Sequence, residues 1–563
     1  MKKFTFINLI VILTCFACKT KIDQKEIVSI KGDKTSGGEL TIAISDKINN
    51  LFPASIDHLN ALQITSQIYE TLFSVNPNTL EIEPNIAKSF KVNERSDIYT
   101  IEINSGIRFH EDACFGGGSR ELTAEDVKYS LDFACSGNAL NSTNSILIDL
   151  IKGASEYQVS STKKLNAKGV SGIKVIGNKI EITLKQPYVG FEAVLARENT
   201  VIFPHEAFEK YGDKIKLHPV GTGPFKFVKK DNDNIVLEKN KNYWKQDESG
   251  NQLPYLHSIK YIYFSDKKSE MTAFRNKEVD LISNIPSDEV NNIFGSLQDA
   301  VAGKNIKHKV ESSLSLNIDY LGFNTEHGIF ANKDLRQAIY YAVDQNEIIE
   351  KYLGGNGYAP VNGFVPVIEG ALNETTIHSY NLEKAKTLLA KAGYPNGNGF
   401  PQTEIYVSGD EHSKGYMFVK GFVELMKKNL NLNFTIHTCS LEEKDKAIAD
   451  GSAQIWRSGW IADFPSPITF LELFYSNNNR INKFNFKNED YNKHFELAIK
   501  ETDSKKRSYH FIKAQSLIAE NAVVVPLFVD NMLILLNARV KGLVANQMEQ
   551  MNLKYVYIKQ PKS

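Results

Sequence analysis

The sequence predicts an α/β protein whose strands and helices are layered around at least two hydrophobic cores. Three observations carry that expectation. Short runs of alternating apolar and polar residues recur along the chain, and amphipathic stripes with recognisable caps stand between them. The 563 residues are 42% hydrophobic and 10% aromatic, enough apolar material for more than one sizeable core. No internal repeat or low-complexity block is present, which argues against a solenoid.

In chain order, Leu40-Thr41-Ile42-Ala43-Ile44 and Tyr99-Thr100-Ile101-Glu102-Ile103 show the period of two that one buried sheet face imposes. Thr123-Ala124-Glu125-Asp126 then offers an N-cap hydroxyl with a carboxylate three residues later. Val127, Leu131 and Ala134 follow on one face, so a helix should end near Cys135. Lys179-Ile180-Glu181-Ile182-Thr183-Leu184 and Lys260-Tyr261-Ile262-Tyr263-Phe264 are two further strands. A second helix opens near Asp334, with Leu335, Ala338, Ile339 and Ala342 at i, i+3, i+4 and i+7. A third begins at Asn381, buries Ala385, Leu388, Leu389 and Ala392, and stops at Gly393 and Pro395. Val419, Phe422, Val423 and Met426 mark a fourth.

The N-terminus follows a different logic. Lys2 and Lys3 precede an apolar run over residues 4–17, and Cys18 comes next. A bilayer helix needs roughly 20 apolar residues and a signal peptide about 7 to 15, so residues 1–17 read as an export signal. Cys18 stands after the small residue Ala17, where a lipoprotein signal is cut and the thiol takes diacylglycerol. The two positions before Ala17 hold Cys15 and Phe16 in place of the usual leucine and small residue, so cleavage by either type of signal peptidase stays open; both leave Cys18 first. The polar stretch after it, within 18–37, reads as a flexible lipid tether. Of the other cysteines, Cys114 lies in a loop before the helix that ends near Cys135. An oxidising compartment permits the two to pair, the alternative being two separate thiols. Basic and acidic side chains both total 66, for a formal net charge of +0, so nucleic acid is not an expected partner.

Signatures of catalysis are absent: there is no G-x-S-x-G elbow, no H-E-x-x-H zinc helix and no phosphate-binding G-x-x-x-x-G-K-[ST] loop. Gly116-Gly117-Gly118-Ser119 lacks the lysine that phosphate binding requires and reads as a surface turn. His110-Glu111-Asp112 has no second ligand pair and reads as a solvated loop. The expectation is therefore a protein that is not an enzyme and needs neither metal nor cofactor. What stands out is Trp456-Arg457-Ser458-Gly459-Trp460-Ile461-Ala462-Asp463-Phe464-Pro465, which holds two of the three tryptophans. It puts aromatic surface, a cation and an anion into one loop. That mixture suits a zwitterionic ligand, since Asp463 can pair with an ammonium and Arg457 can grip a carboxylate bidentately. The plainer alternative makes both tryptophans core, Arg457 a solvated charge and Asp463 a turn residue.

A set of ordered segments goes further. Gln67-Ile68-Tyr69-Glu70-Thr71-Leu72, Pro84-Asn85-Ile86-Ala87-Lys88-Ser89-Phe90, Gly106-Ile107-Arg108-Phe109-His110 and Leu122-Thr123-Ala124-Glu125-Asp126-Val127-Lys128-Tyr129-Ser130 are followed by Gly221-Thr222-Gly223-Pro224-Phe225 and Asn242-Tyr243-Trp244. Leu335-Arg336-Gln337-Ala338-Ile339 and Lys384-Ala385-Lys386-Thr387-Leu388-Leu389 come last. In these segments, from about Gly38 to Val556, the chain resembles the family 5 extracellular solute-binding proteins, the dipeptide and oligopeptide binders of ABC importers. The resemblance implies a two-lobed, periplasmic-binding-protein-like α/β fold with a hinged cleft and an additional third domain. Lobe one would combine 38–67, 185–311 and 526–563, the additional domain would span 68–184, and lobe two 312–525. It implies an exported monomer, held to a membrane by lipid, that captures a peptide and delivers it to a permease. In peptide-binding relatives the motif R-x-G-W-x-x-D-[YF] holds the ligand's ends, and it stands here as Arg457, Gly459, Trp460, Asp463 and Phe464. Asp463 would take the α-ammonium, Arg457 the carboxylate of short peptides, and Trp460, Ala462 and Phe464 the first pocket. The same fold with an oligosaccharide, a nickel complex or haem as cargo is the alternative. A surface hydrolase or receptor is a more distant one.

Overall fold

The computed structural model describes residues 26–56, 58–142, 145–162, 165, 168–283, 285, 309–368, 379–409, 411–477 and 481–559. The signal segment 1–17 and Cys18 lie outside the described residues. Among those described, no helix is long and apolar enough to cross a membrane.

Three sheets organise the chain. The largest has seven strands, in the order Phe225–Lys230, Asn234–Lys239, Ser258–Tyr263, Glu39–Ile44, Leu281–Ser283, Asn531–Leu536 and Lys309–Leu314. Glu39–Ile44 runs parallel to both of its neighbours, and Asn531–Leu536, buried at every position, is antiparallel to both of its own. A five-stranded sheet follows the order Phe434–Cys439, Thr403–Ser408, Ile455–Ile461, Asn317–Phe323 and Val524–Phe528. The third sheet is an antiparallel layer of Ala87–Val92, Ile98–Ile103, Lys179–Thr183 and Ile173–Ile176. All four alternating runs read from the sequence are strands here. Val524–Phe528 spans the expected lobe boundary at 525/526 and pairs wholly within the five-stranded sheet.

Helices begin where side chains can satisfy their open N–H groups. The Asp126 carboxylate accepts the Thr123 N–H at 2.9 Å, closing a capping box on Ala124–Ala134. Asn332, two residues before Asp334, caps Lys333–Ala342, and Asn381 caps Leu382–Lys391. Ser413 caps Lys414–Leu430, which buries Val419, Phe422 and Met426.

The chain passes between the two large sheets at 315–316 and again at 529–530. These passages lie side by side: the Ser315 N–H donates to Asp530 O at 3.0 Å, and the Asp530 N–H donates to Asn317 Oδ1 at 2.8 Å. Farther off, Glu70 gathers two other segments. Its carboxylate accepts from Thr222 Oγ1 at 2.9 Å, Tyr243 Oη at 2.9 Å and Trp244 Nε1 at 3.0 Å. Gly221 and Gly223 make that approach possible, because a Cβ at either would fall within 2.6 Å of Ile68 O.

Three expectations are corrected. The second half of the 18–37 tether is structured: Val28–Ile30 and Lys34–Ser36 form a hairpin, Lys34 Nζ lies 3.0 Å from Asp247 Oδ2, and the Thr35 hydroxyl donates to Ile558 O at 2.7 Å. Cys114 and Cys135 are free thiols. Cys114 sits in the turn Ala113–Phe115, beside an Arg120 guanidinium that bridges Asp126 and Glu206 near the start of helix Ala124–Ala134. Cys135 is buried at the other end of that 11-residue helix. Such a helix is about 16 Å long, whereas a disulfide spans at most roughly 7 Å between Cα atoms. His110, finally, is buried at 4% exposure instead of solvated.

The His110 Nε2–H donates to Gly223 O at 2.9 Å, while Nδ1 has no partner, so a second proton has nowhere to bond. Burial pushes its pKa down to about 4. Below about 6.5 the unfolded chain binds this proton and the folded one does not. The contribution of His110 is therefore complete above pH 6.5, and up to about 3 kcal/mol of it is lost as pH falls toward 4. Urea unfolding of wild type and His110→Gln at pH 7.5 and 5.0 should show the variant losing less stability over that interval; equal losses exclude this role.

Candidate functional site

A cavity of about 1050 Å³ lies between the bodies built on the two large sheets. That is at the upper edge of the roughly 300–1,000 Å³ typical of small-molecule sites. Leu59, Leu62, Arg197 and Met548 wall it from the seven-stranded side, and Asp149 and Leu150 from the helix Ser145–Leu150. Gly459–Asp463 and Glu472 wall it from the five-stranded side.

The tryptophan-rich segment, read as a loop, is a strand through residue 461. It alternates as a strand must. Trp456 turns inward at 1% exposure, stacked on Phe484 with centroids 5.8 Å apart and pressed against Gly322, where any Cβ would clash with the indole. Arg457 takes the other face. Gly459 stands directly opposite Asp319 in the pairing, and the Arg457 guanidinium reaches diagonally across and forks onto Asp319 through Nε and Nη2. Burial holds the Asp319 carboxyl above its ordinary range and Arg457 opposes it. Arg457 is thus committed to a partner within the sheet and does not line the cavity, which corrects its expected role as a carboxylate clamp. Phe464, 1% exposed, is core and does not line the cavity either. Gly459, Trp460, Ala462 and Asp463 do line it.

The pairing phase decides what the strand offers there. The Ala462 N–H donates to Leu316 O at 2.8 Å, and Arg457 O accepts from Lys444 Nζ at 3.2 Å on the opposite edge. Even-numbered positions therefore bond toward Asn317–Phe323, and odd-numbered ones turn away from it. On that outer edge Thr403–Ser408 pairs only at Trp456. Gly459 and Ile461 line the cavity, and among the described residues no strand pairs with them on that edge.

Asp463 follows the strand. Its N–H donates to Thr469 Oγ1 at 3.2 Å, and its Oδ1 lies 2.8 Å from Arg197 Nη2 of the opposite body. Oδ2 accepts no bond from the described residues. Arg197, absent from any sequence motif, is 8% exposed, and its Nε has no partner among the described residues. A lone arginine after the apolar Val194-Leu195-Ala196 was the only signal for it. The two bodies also touch where the Val189 N–H donates to Ile499 O at 2.9 Å and Arg507 Nη2 to Val189 O at 3.0 Å. Sequence reasoning missed Asp149, Tyr188, Glu198 and Glu472 as well; each comes from a different element. Two groups among the described residues bring three metal-capable atoms within 4.8 Å of one another, His437 with Cys439 and Glu443, and Asp126 with His205 and Glu206. Neither lines the cavity, and Arg120 already neutralises the second.

Two bodies joined by a paired crossing, with a ligand-sized cavity walled by both, define a two-lobed solute-binding protein. Residues 81–482 match the bacterial extracellular solute-binding proteins, family 5 (middle), and the chain belongs to that family. It is accordingly an exported protein. Helicobacter pylori DppA, solved in complex with the peptide STSA, superposes with a TM-score of 0.74 at 24% identity, over 93% of this chain and 99% of that one. A periplasmic oligopeptide-binding protein of Borrelia burgdorferi, OppAIV, gives 0.75 at 25% identity, over 92% and 99%. The heme-binding protein A of Haemophilus influenzae is 28% identical over 491 residues, 85% of each chain.

If Arg197 and Asp463 tie the bodies together, Arg197→Gln removes a partly buried pair worth on the order of 1 kcal/mol. The unliganded variant should then populate open forms several-fold more, read as a larger radius of gyration in X-ray scattering. Superimposable scattering curves would remove the pair from that role.

Proposed function

We propose that the protein captures peptides in this cavity and delivers them to an ABC permease without breaking a bond. The open edge at Gly459 and Ile461 carries the reading. An extended peptide can add there as a strand, and main-chain bonds of that kind do not depend on side-chain identity. Asp463 Oδ2 would receive the peptide's α-ammonium at the end of that edge, with Trp460 lining the adjoining pocket. Family membership and the peptide-bound Helicobacter pylori relative support the same assignment. Haem or another polyanion fits poorly, because its carboxylates would meet that of Asp463. With the crossings at 315–316 and 529–530, the lobes would be 38–67, 185–314 and 531–563 on one side of the hinge and 317–528 on the other, with 68–184 as the additional domain.

Asp463→Asn should weaken binding of a free-amine peptide by more than tenfold, and N-acetylation should do the same to wild type, as one lost buried charge partner requires. Titration calorimetry with a matched peptide pair measures both; equal affinities remove Asp463 from its role. Diacylglycerol on Cys18 would hold the protein at the membrane. Cys18→Ser should then move it from the membrane pellet to the soluble fraction of lysed cells, and retention in the pellet tells against the anchor.

A further inference from the structure

We propose that His437, Cys439 and Glu443 form a binding site for a borderline divalent transition metal, zinc foremost, on the outer edge of the five-stranded sheet. None of the three lines the cavity, so the site does not depend on what the cavity holds.

Two consecutive elements bring the donors together. Phe434–Cys439 is an edge strand of that sheet. Its alternation packs Phe434 and Ile436 against the core that holds the helix Lys414–Leu430, while His437 and Cys439 share the other face. The helix Leu441–Ala449 follows at once. Ser440 caps it by accepting the Glu443 N–H at 3.1 Å, which sets Glu443 in the first turn. Imidazole, sulfur and carboxylate then lie within 4.8 Å of one another, with His437 Nε2 at 3.3 Å from Glu443 Oε1. Bonds of about 2.0–2.3 Å to a tetrahedral zinc ion place neighbouring donors roughly 3.3 to 3.6 Å apart. The nitrogen and oxygen already stand at that spacing, and a small side-chain turn brings the sulfur to it.

The surroundings suit a cation. On the far side of the ring, His437 Nδ1 faces Glu404 Oε2 at 3.9 Å, from the neighbouring strand Thr403–Ser408. An acid placed behind a ligating histidine takes the Nδ1 proton, leaves Nε2 for the metal and makes it more basic. Among the described residues, neither Glu404 nor Glu443 pairs with a lysine or arginine. Lys444, next in the helix, is directed elsewhere: its Nζ donates to Ser408 Oγ at 3.0 Å and to Arg457 O at 3.2 Å. Cys439 is a free thiol, and burial, then the Glu443 charge, holds its proton on. A bound cation reverses that balance; the thiolate forms and its proton leaves to solvent. Thiolate and carboxylate together cancel the charge of a divalent ion. The nitrogen, sulfur and oxygen set selects zinc and its neighbours over magnesium and calcium, which take oxygen. The side chains of His437 and Glu443 are 34% and 57% exposed, so an ion has a way in and a water can complete its shell. Once bound, it would tie the sheet's edge strand to the start of a helix whose Lys444 already holds the Arg457 carbonyl.

Titration of the reduced full-length protein with cobalt(II), a spectroscopic stand-in for zinc, tests this. A sulfur-to-cobalt charge-transfer band should appear and saturate at one equivalent. One equivalent of zinc should abolish it, and a tenfold excess of magnesium or calcium should leave it unchanged. Cys439→Ser should lose the band, His437→Gln and Glu443→Gln should each weaken zinc binding at least tenfold, and Glu404→Gln about tenfold through the orientation of His437. Should Cys439→Ser not fold, protection of Cys439 from iodoacetamide by zinc in the wild type, read by peptide mass spectrometry, gives the same answer. Absence of the band in the wild type, its persistence in Cys439→Ser, or its loss to magnesium overturns the site, and peptide capture stands or falls separately.

Discussion

Two bonded passages of chain, at 315–316 and 529–530, set what the rest of the molecule can do. Because the Ser315 N–H donates to Asp530 O and the Asp530 N–H to Asn317 Oδ1, the two crossings move as a unit, and rotation about them is the low-cost motion left to the large bodies. Lys414 adds an ion pair to Asp530 at 2.5 Å from the helix packed on the five-stranded sheet. The ligand strand starts from the same place: the Ala462 N–H is bonded to Leu316 O. Asp463, one residue on, is therefore referenced to the hinge itself. Its distance from Arg197 on the opposite body then reports directly on how far the jaws have closed.

That arrangement makes the cross-cavity pair more than a contact. Arg197 is nearly enclosed, and a buried guanidinium without a counter-charge is costly. Asp463 supplies that counter-charge only when the bodies approach, so closure is favoured before cargo arrives. On the proposed reading, cargo would add to this by engaging Asp463 Oδ2 and the strand edge together. A ligand shifts an equilibrium only by its differential affinity for the two states, and a group touching both bodies has that difference by geometry.

Much of the scaffold was legible because its signals are local. The alternation of Leu40 through Ile44 needs only one buried face, and the Thr123 and Asp126 cap needs only four residues. The tryptophan-rich segment misled for a physical reason. Trp456, Ser458 and Trp460 do alternate with Arg457, Gly459 and Ile461, but a glycine and a charge among tryptophans resemble a recognition loop. Only the register with Asn317–Phe323 shows that Arg457 is turned onto Asp319 within the sheet. The free thiols are a different case: the helix before Cys135 was legible, but where the loop carrying Cys114 packs was not, and it lies near the start of that helix, beside Arg120. Arg197, Asp149, Glu198 and Glu472 had no signal, since a cavity assembled from distant parts of the chain leaves no spacing to read.

The segments that reveal the family turn out to be scaffold. Glu70 with Thr222, Tyr243 and Trp244 ties three of them together, and Arg336 of a fourth, 4% exposed, donates to the carbonyls of Phe330, Ala331, Asn521 and Ala522, fastening its helix to the turn before Val524–Phe528. Such groups tolerate little change, because each is a buried charge whose every bond is specified. Asp149, Arg197, Glu198 and Glu472 fall outside all of those segments. One scaffold can then carry haem in one relative and a peptide in another. What a member of the family takes is written in its cavity wall, where overall likeness has least to say.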